Sequence, residues 1–147
     1  MECQGVNDPC PNIDVIEGCP DAAAIVVGEP MIKSDDLSRV YVCSPYTGDV
    51  ETNTKNACDY CRFVIKQGKN PLASHLLYPQ FLDDNLALER QRGLELGIDL
   101  LRMCDELWWF GSVISDGMKA EIEMAQKWGI PVRYYDSECR IIKDVQR

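Results

Sequence analysis

Glu121 stands where the sequence calls for an apolar residue. In the segment Asp116 to Trp128, Met118, Ile122 and Ala125 recur at the three- and four-residue spacing of one helix face. Glu121 lies three residues after Met118 and four before Ala125, so it projects along that same face. Burying an unpaired charge costs several kcal/mol, so such a carboxylate needs hydrogen-bonding partners, a shifted pKa or a cleft beside it. Glu123 makes the contrast. It sits between Lys119 and Lys127 on the opposite face, where exposed pairs contribute about 0.2–0.5 kcal/mol each, and it reads as a solvated acid.

The loop Ser115-Asp116-Gly117 delivers the chain into this helix from the end of an apolar strand. In open parallel sheets that rim binds ligands. The positive end of the helix dipole favours an ionised carboxylate, the form required of a nucleophile or an electrostatic stabiliser. The competing reading is a half-exposed acid that serves only the dipole.

Other residues are expected at the same rim. Ser44, Pro45, Tyr46, Thr47 and Gly48 follow the first strand; their hydroxyls and backbone N–H groups suit a phosphate, though such a turn is a weak motif. His75, the only histidine, follows the second strand and reads equally as a site residue or a core residue. Gly111, Ser115, Gly117 and Met118 complete the expected lining. Asp105, just before the third strand, either caps the preceding helix or reaches the site. Tyr41, on the first strand, reads by default as a core tyrosine with a satisfied hydroxyl.

The remaining motifs are poorer in chemistry. Cys58 and Cys61 have C-x-x-C spacing but fall inside a helix and read as structural, while Cys3, Cys10 and Cys19 lack a histidine or a paired motif for zinc. There is no P-loop, G-x-G-x-x-G or G-x-S-x-G, against the usual NTPase, dinucleotide and α/β-hydrolase readings. No metal and no cofactor are expected.

The elements that must position these groups begin at Arg39. VYVCSP reads as a strand, and a helix follows with Ala57, Tyr60, Cys61, Val64 and Ile65 as its buried stripe and Gly68 at its end. A short strand at about Pro71 to His75 precedes the loop LLYPQFLDDN and a helix from Leu86 to Met103, with Leu94, Ile98 and Leu101 on one face. ELWWFG is a strand apolar enough to be buried on both sides. The Glu121 helix and a last strand, VRYYD, complete the order. This alternation specifies one α/β domain, a three-layer sandwich with helices on both faces of a parallel sheet.

Residues 1–38 read as an irregular extension with four prolines and a short AAAIVVG stretch, a candidate edge strand, leaving 39–147 as the domain. With 147 residues and 46% apolar composition there is one core. The net charge of −9 repels polyanions, so no nucleic acid polymer is expected as a partner. No apolar run approaches the roughly 18 residues of a membrane span, and no signal peptide is recognisable. A cytoplasmic location with reduced thiols is therefore expected despite eight cysteines.

Together, VYVCSPYTGD, CDELWWFG and SDGMKAEIEMA resemble the nucleoside 2-deoxyribosyltransferase superfamily, most closely its uncharacterised bacterial and phage branch, over about residues 39–136. HLLYPQFLDDN and GIPVRYY are similar to that branch as well. The resemblance implies a Rossmann-like domain and a homo-oligomer that completes its sites across subunits. It also implies a glutamate, matched by Glu121, that attacks C1′ of a nucleoside or nucleotide and forms a glycosyl ester. Tyr41 matches the strand-one tyrosine that orients this glutamate, and Asp105 matches the aspartate that positions the base or protonates it. Ser115 stands where many transferases carry an aspartate, as in nucleotide-hydrolysing members, which points to a phosphorylated ligand; Asp49, in a loop those members keep glycine-rich and basic, points the other way. The expected function is N-glycosidic cleavage or transfer. The alternative is a binding protein that holds a nucleotide or nucleotide-derived signal without turnover, a reading to which Trp108, Trp109 and Asp49 contribute.

Overall fold

Strand β1 (Arg39–Cys43) has the sequence RVYVC, a β-branched and aromatic run suited to burial on both sides. Val40, Tyr41, Val42 and Cys43 are each fully buried. The computed structural model describes residues 37–145 and the side chains of residues 37–142. The AAAIVVG stretch and Cys3, Cys10 and Cys19 lie outside the described residues.

After β1 come α1 (Val50–Lys66), β2 (Asn70–Leu72), α2 (Ser74–Leu77), a 3-10 turn (Tyr78–Gln80), α3 (Ala87–Arg102), β3 (Glu106–Phe110), α4 (Asp116–Lys127), β4 (Val132–Tyr135) and β5 (Ile141–Val145). They form one five-stranded sheet in the order β2-β1-β3-β4-β5. β1 pairs in parallel with β2 on one side and β3 on the other, β3 pairs in parallel with β4, and β5 runs antiparallel to β4. Because the chain leaves β1 first toward β2 and later toward β3, a crevice opens between the carboxyl ends of β1 and β3, the site that this topology offers to ligands.

Alternation along the strands divides the core in two. Val40, Val42, Trp108 and Phe110 meet Tyr60 and Val64 of α1. Tyr41, Cys43, Leu107 and Val132 meet Leu100 and Leu101 of α3 and Met118, Ile122 and Ala125 of α4. The domain is thus α/β with helices on both faces of a mostly parallel sheet. No helix among the described residues is long and apolar enough to cross a membrane.

Local differences from the sequence reading have physical causes. β2 ends at Leu72, and the chain turns at once into α2, so Ser74 and His75 are helical rather than extended. Pro71 is tolerated because β2 is an edge strand, where one missing N–H breaks no central ladder. β5 is an additional strand. Its hairpin is tied by Asp136, whose Oδ1 accepts from the N–H groups of Glu138 and Arg140, both at 2.9 Å. The helix stripes also rotate: α1 buries Ala57, Tyr60 and Val64 but leaves Ile65 59% exposed, and α3 buries Gly97, Leu100 and Leu101 but leaves Leu94 51% exposed.

The corrected stripe is testable. Leu101→Ala should cost about 2–5 kcal/mol in urea unfolding because it opens a cavity in the core. Ile65→Ala should stay within about 0.5 kcal/mol of the parent, as exposed substitutions do. Equal losses at the two positions would refute this packing.

Candidate active site

Residues two apart on β1 point to the same face, so Tyr41 and Cys43 both look toward α4. Met118, Glu121, Ile122 and Ala125 form the buried side of that helix. Glu121 is only 5% exposed. Its Oε1 accepts from the Tyr41 hydroxyl at 2.7 Å, and its Oε2 accepts from the Cys43 thiol at 3.1 Å. Tyr41 Oη also lies 2.8 Å from Ser74 Oγ at the start of α2. Since the tyrosine's single hydrogen goes to the carboxylate, Ser74 is the donor in that second pair. α3 passes close by at Gly97, where a Cβ would stand in van der Waals contact, 3.4 Å from Tyr41 Oη and 3.5 Å from Ser74 Cβ.

Side-chain donors, rather than the helix terminus, hold this carboxylate. α4 begins at Asp116, so Glu121 lies in its second turn, beyond the first turn where the dipole acts most strongly. Burial pushes the Tyr41 hydroxyl well above its ordinary range, and the Glu121 charge adds to the shift. The Cys43 thiol is raised for the same two reasons, burial first. Both groups therefore keep their hydrogens across the neutral range and present them to Glu121.

Above Glu121 is a cavity of about 440 Å3, within the range of small-molecule sites. Tyr46 and Thr47 from the β1 loop, Ser74 and His75 from α2, and Ser115 and Gly117 from the start of α4 all line it, with Glu121. Ser115 is the N-cap of α4: its Oγ accepts from Met118 N at 3.2 Å and retains its own hydrogen to donate. The Tyr46 and His75 rings stack at 5.4 Å with 8° between their planes. His75 Nε2 is buried without a hydrogen-bond partner. Gly48 lines an adjoining, more open cavity of about 660 Å3 that shares Tyr46, Thr47 and Arg90 with the first.

Several expected residues fall elsewhere. Asp105 does not reach this site. It precedes β3, and the parallel strands run toward the rim, so a residue before the strand belongs to the opposite end of the sheet. There its Oδ2 accepts from Arg39 N at 2.8 Å. Tyr41 lies beneath the cavity, fully buried, and Met118 is a core residue. Ser44 is buried off the cavity with Oγ unpartnered, and Pro45 lies 3.7 Å from where a Cβ on Gly111 would be, neither of them in the lining. Trp108 and Trp109 pack on Tyr135 and Tyr134 instead of on the cavity. Asp49 caps α1, accepting from Thr52 N at 3.1 Å and Thr52 Oγ1 at 2.8 Å. Among the described residues no cluster of His, Cys, Asp and Glu is suited to a metal.

Sequence reasoning passed over Cys43, Ser74 and Arg90, the last of which lines both cavities. Two-residue periodicity from Tyr41 was the signal available for Cys43. Ser74 was hidden by the strand assigned to its segment, and Arg90 lay in a helix turn that nothing marked.

Residues 38–135 match the model of a family described as a domain of unknown function, DUF7768. The chain belongs to that family. No curated protein sequence matches it. Among solved structures, it is similar to the 2-deoxyribosyltransferase from the psychrotolerant bacterium Bacillus psychrosaccharolyticus, with 15% identity, 72% of this chain and 77% of that chain covered, and a TM-score of 0.58. It is also similar to the CMP N-glycosidase of Clostridium botulinum, with 19% identity, 67% and 69% coverage, and a TM-score of 0.45. At 15% identity the first likeness is one of fold, and it places the domain among nucleoside deoxyribosyltransferase-like architectures.

The buried acids fix the sign of an alkaline effect. In the unfolded chain Cys43 and Tyr41 titrate near their ordinary 9.0 and 10.0, whereas the folded protein keeps both protonated to higher pH. Cys61 and Cys104, pushed up to about 11 and about 12, act in the same direction. Above about pH 9 the folded state binds more protons than the unfolded one, so stability falls as pH rises. Urea unfolding from about pH 8 to 11 should show this decline, with a shallower slope in Cys43→Ala. An unchanged slope would mean that Cys43 ionises freely in the folded protein.

Proposed function

We propose that the chain cleaves or transfers the N-glycosidic bond of a nucleoside or nucleotide, with Glu121 as nucleophile. The observation that carries the proposal is the Glu121 carboxylate at the floor of a nucleoside-sized cavity, held by Tyr41 and Cys43 but still lining the open space. Attack of the carboxylate on C1′ passes through an oxocarbenium-like transition state and leaves a glycosyl ester, which water hydrolyses or an incoming base displaces. The similar 2-deoxyribosyltransferase has an activity of the same reaction class.

The walls suit such a substrate. The flat Tyr46–His75 pair offers a face for a base. Ser115 and Arg90 supply donors compatible with a phosphate. Asp49 lines neither cavity, its carboxylate capping α1 instead. Leu94 and Ile114 line the cavity yet remain about half exposed, apolar surface that a second subunit would cover. The proposal therefore includes a homo-oligomer, and sedimentation velocity at micromolar concentration should show a species larger than 16.6 kDa; a monomer at every concentration would remove that part.

Binding without turnover is the second reading. It is favoured by one observation: Asp105, expected to protonate the leaving base, lies at the far end of the sheet.

Incubation with deoxynucleosides, ribonucleosides and their 5′-monophosphates, followed by chromatography of free base, separates the two. Turnover should fall at least about a thousandfold in Glu121→Gln, as when a nucleophile is removed. In Tyr41→Phe it should fall about 10–100-fold, the equivalent of a hydrogen bond to a charged group. Base release that survives Glu121→Gln would eliminate the nucleophile. Thermal stabilisation by a nucleotide without base release would establish the binding reading.

A further inference from the structure

The two oxygens of Glu121 are held unequally. Oε1 takes a short O–H donation from Tyr41 at 2.7 Å, and Tyr41 is itself fixed by Ser74 at 2.8 Å. Oε2 takes a donation from the Cys43 thiol at 3.1 Å. An O–H group bonded to a carboxylate is a strong donor, whereas a thiol is a weak one. A strong donor withdraws electron density from the oxygen it binds. Oε1 is therefore the anchored oxygen, and Oε2 keeps more of its nucleophilic character.

We propose that Cys43 is a positioning residue: its thiol fixes the rotation of the Glu121 carboxylate and leaves Oε2 as the oxygen that attacks C1′. This rests on the glycosidic reading of the site. In the step itself Oε2 gives an electron pair to C1′, and the C1′–N bond breaks with its pair on the base nitrogen, which takes a proton from solvent water. Oε1 becomes the ester carbonyl and continues to accept from Tyr41. When a second water attacks C1′, the ester bond breaks, its pair returns to Oε2, and the proton released neutralises the hydroxide left by the first.

Cys43 keeps its hydrogen throughout. Burial and the neighbouring carboxylate hold the thiol protonated, so it serves as a guide and not as a base. A serine at the same position would present a stronger donor in nearly the same place, which makes the sulfur itself testable.

Steady-state base release is compared for the wild-type protein, Glu121→Gln, Cys43→Ser and Cys43→Ala. Cys43→Ser should lower kcat about tenfold with KM unchanged, because the hydroxyl ties up the attacking oxygen. Cys43→Ala, with Tyr41 still in place, should lose about threefold. In the infrared spectrum, the S–H stretching band that disappears in Cys43→Ser should lie below that of a free thiol and move upward in Glu121→Ala. Base release lost in Glu121→Gln but undiminished in Cys43→Ser, or a change confined to KM, would overturn the inference while leaving the glycosidic reading intact. No base release by the wild-type protein would overturn both, and an S–H band unaffected by Glu121→Ala would show that the thiol does not hold the carboxylate.

Discussion

A carboxylate inside the domain is the constraint on which the rest of the site depends. Glu121 occupies a core position on α4, surrounded by hydrogens that will not leave: the Tyr41 hydroxyl on one oxygen and the Cys43 thiol on the other. Each of those donors is fixed in turn. β1 sets both on the same face, the central pairing of β1 between β2 and β3 fixes the strand, and Ser74 reaches Tyr41 from the opposite wall. α3 closes over this arrangement at Gly97. Sheet order and helix packing both serve to bring donors to a charge that would otherwise be intolerably costly.

Much of this was legible in the sequence, and the failures have identifiable causes. The inward direction of Glu121 follows from helical period alone, because Met118, Ile122 and Ala125 leave it no other face. Parallel strands could be read from the alternation of apolar runs and helix stripes. β5 could not, because it enters antiparallel through a hairpin outside that alternation. In α1 the buried face is turned toward Val64, which is fully buried, and away from its neighbour Ile65; at Leu94 periodicity gave the direction of a face but not how far along the helix that face stays covered. In α3 that cover fails at Leu94, where the cavity opens.

Asp105 carries a different lesson. Its position immediately before β3 already assigns it to the amino end of a parallel strand, opposite the ligand rim. Resemblance placed it in the site against that directional argument, and the hydrogen bond to Arg39 shows that direction decides. Cys43 is the converse case. The same two-residue alternation that puts Tyr41 toward α4 puts Cys43 there too, but a thiol among eight cysteines reads as filler until its partner is seen.

The orientation of the Ser74–Tyr41 pair has a consequence of its own. An ionised carboxylate only accepts, so while Glu121 is charged every hydroxyl in the row is turned toward it, from the cavity wall to the floor. Neutralise the charge and that polarity loses its cause, leaving Ser74 free to turn its hydrogen toward whatever occupies the cavity. The wall thus works as a compass needle, its heading set by an ion one tyrosine away.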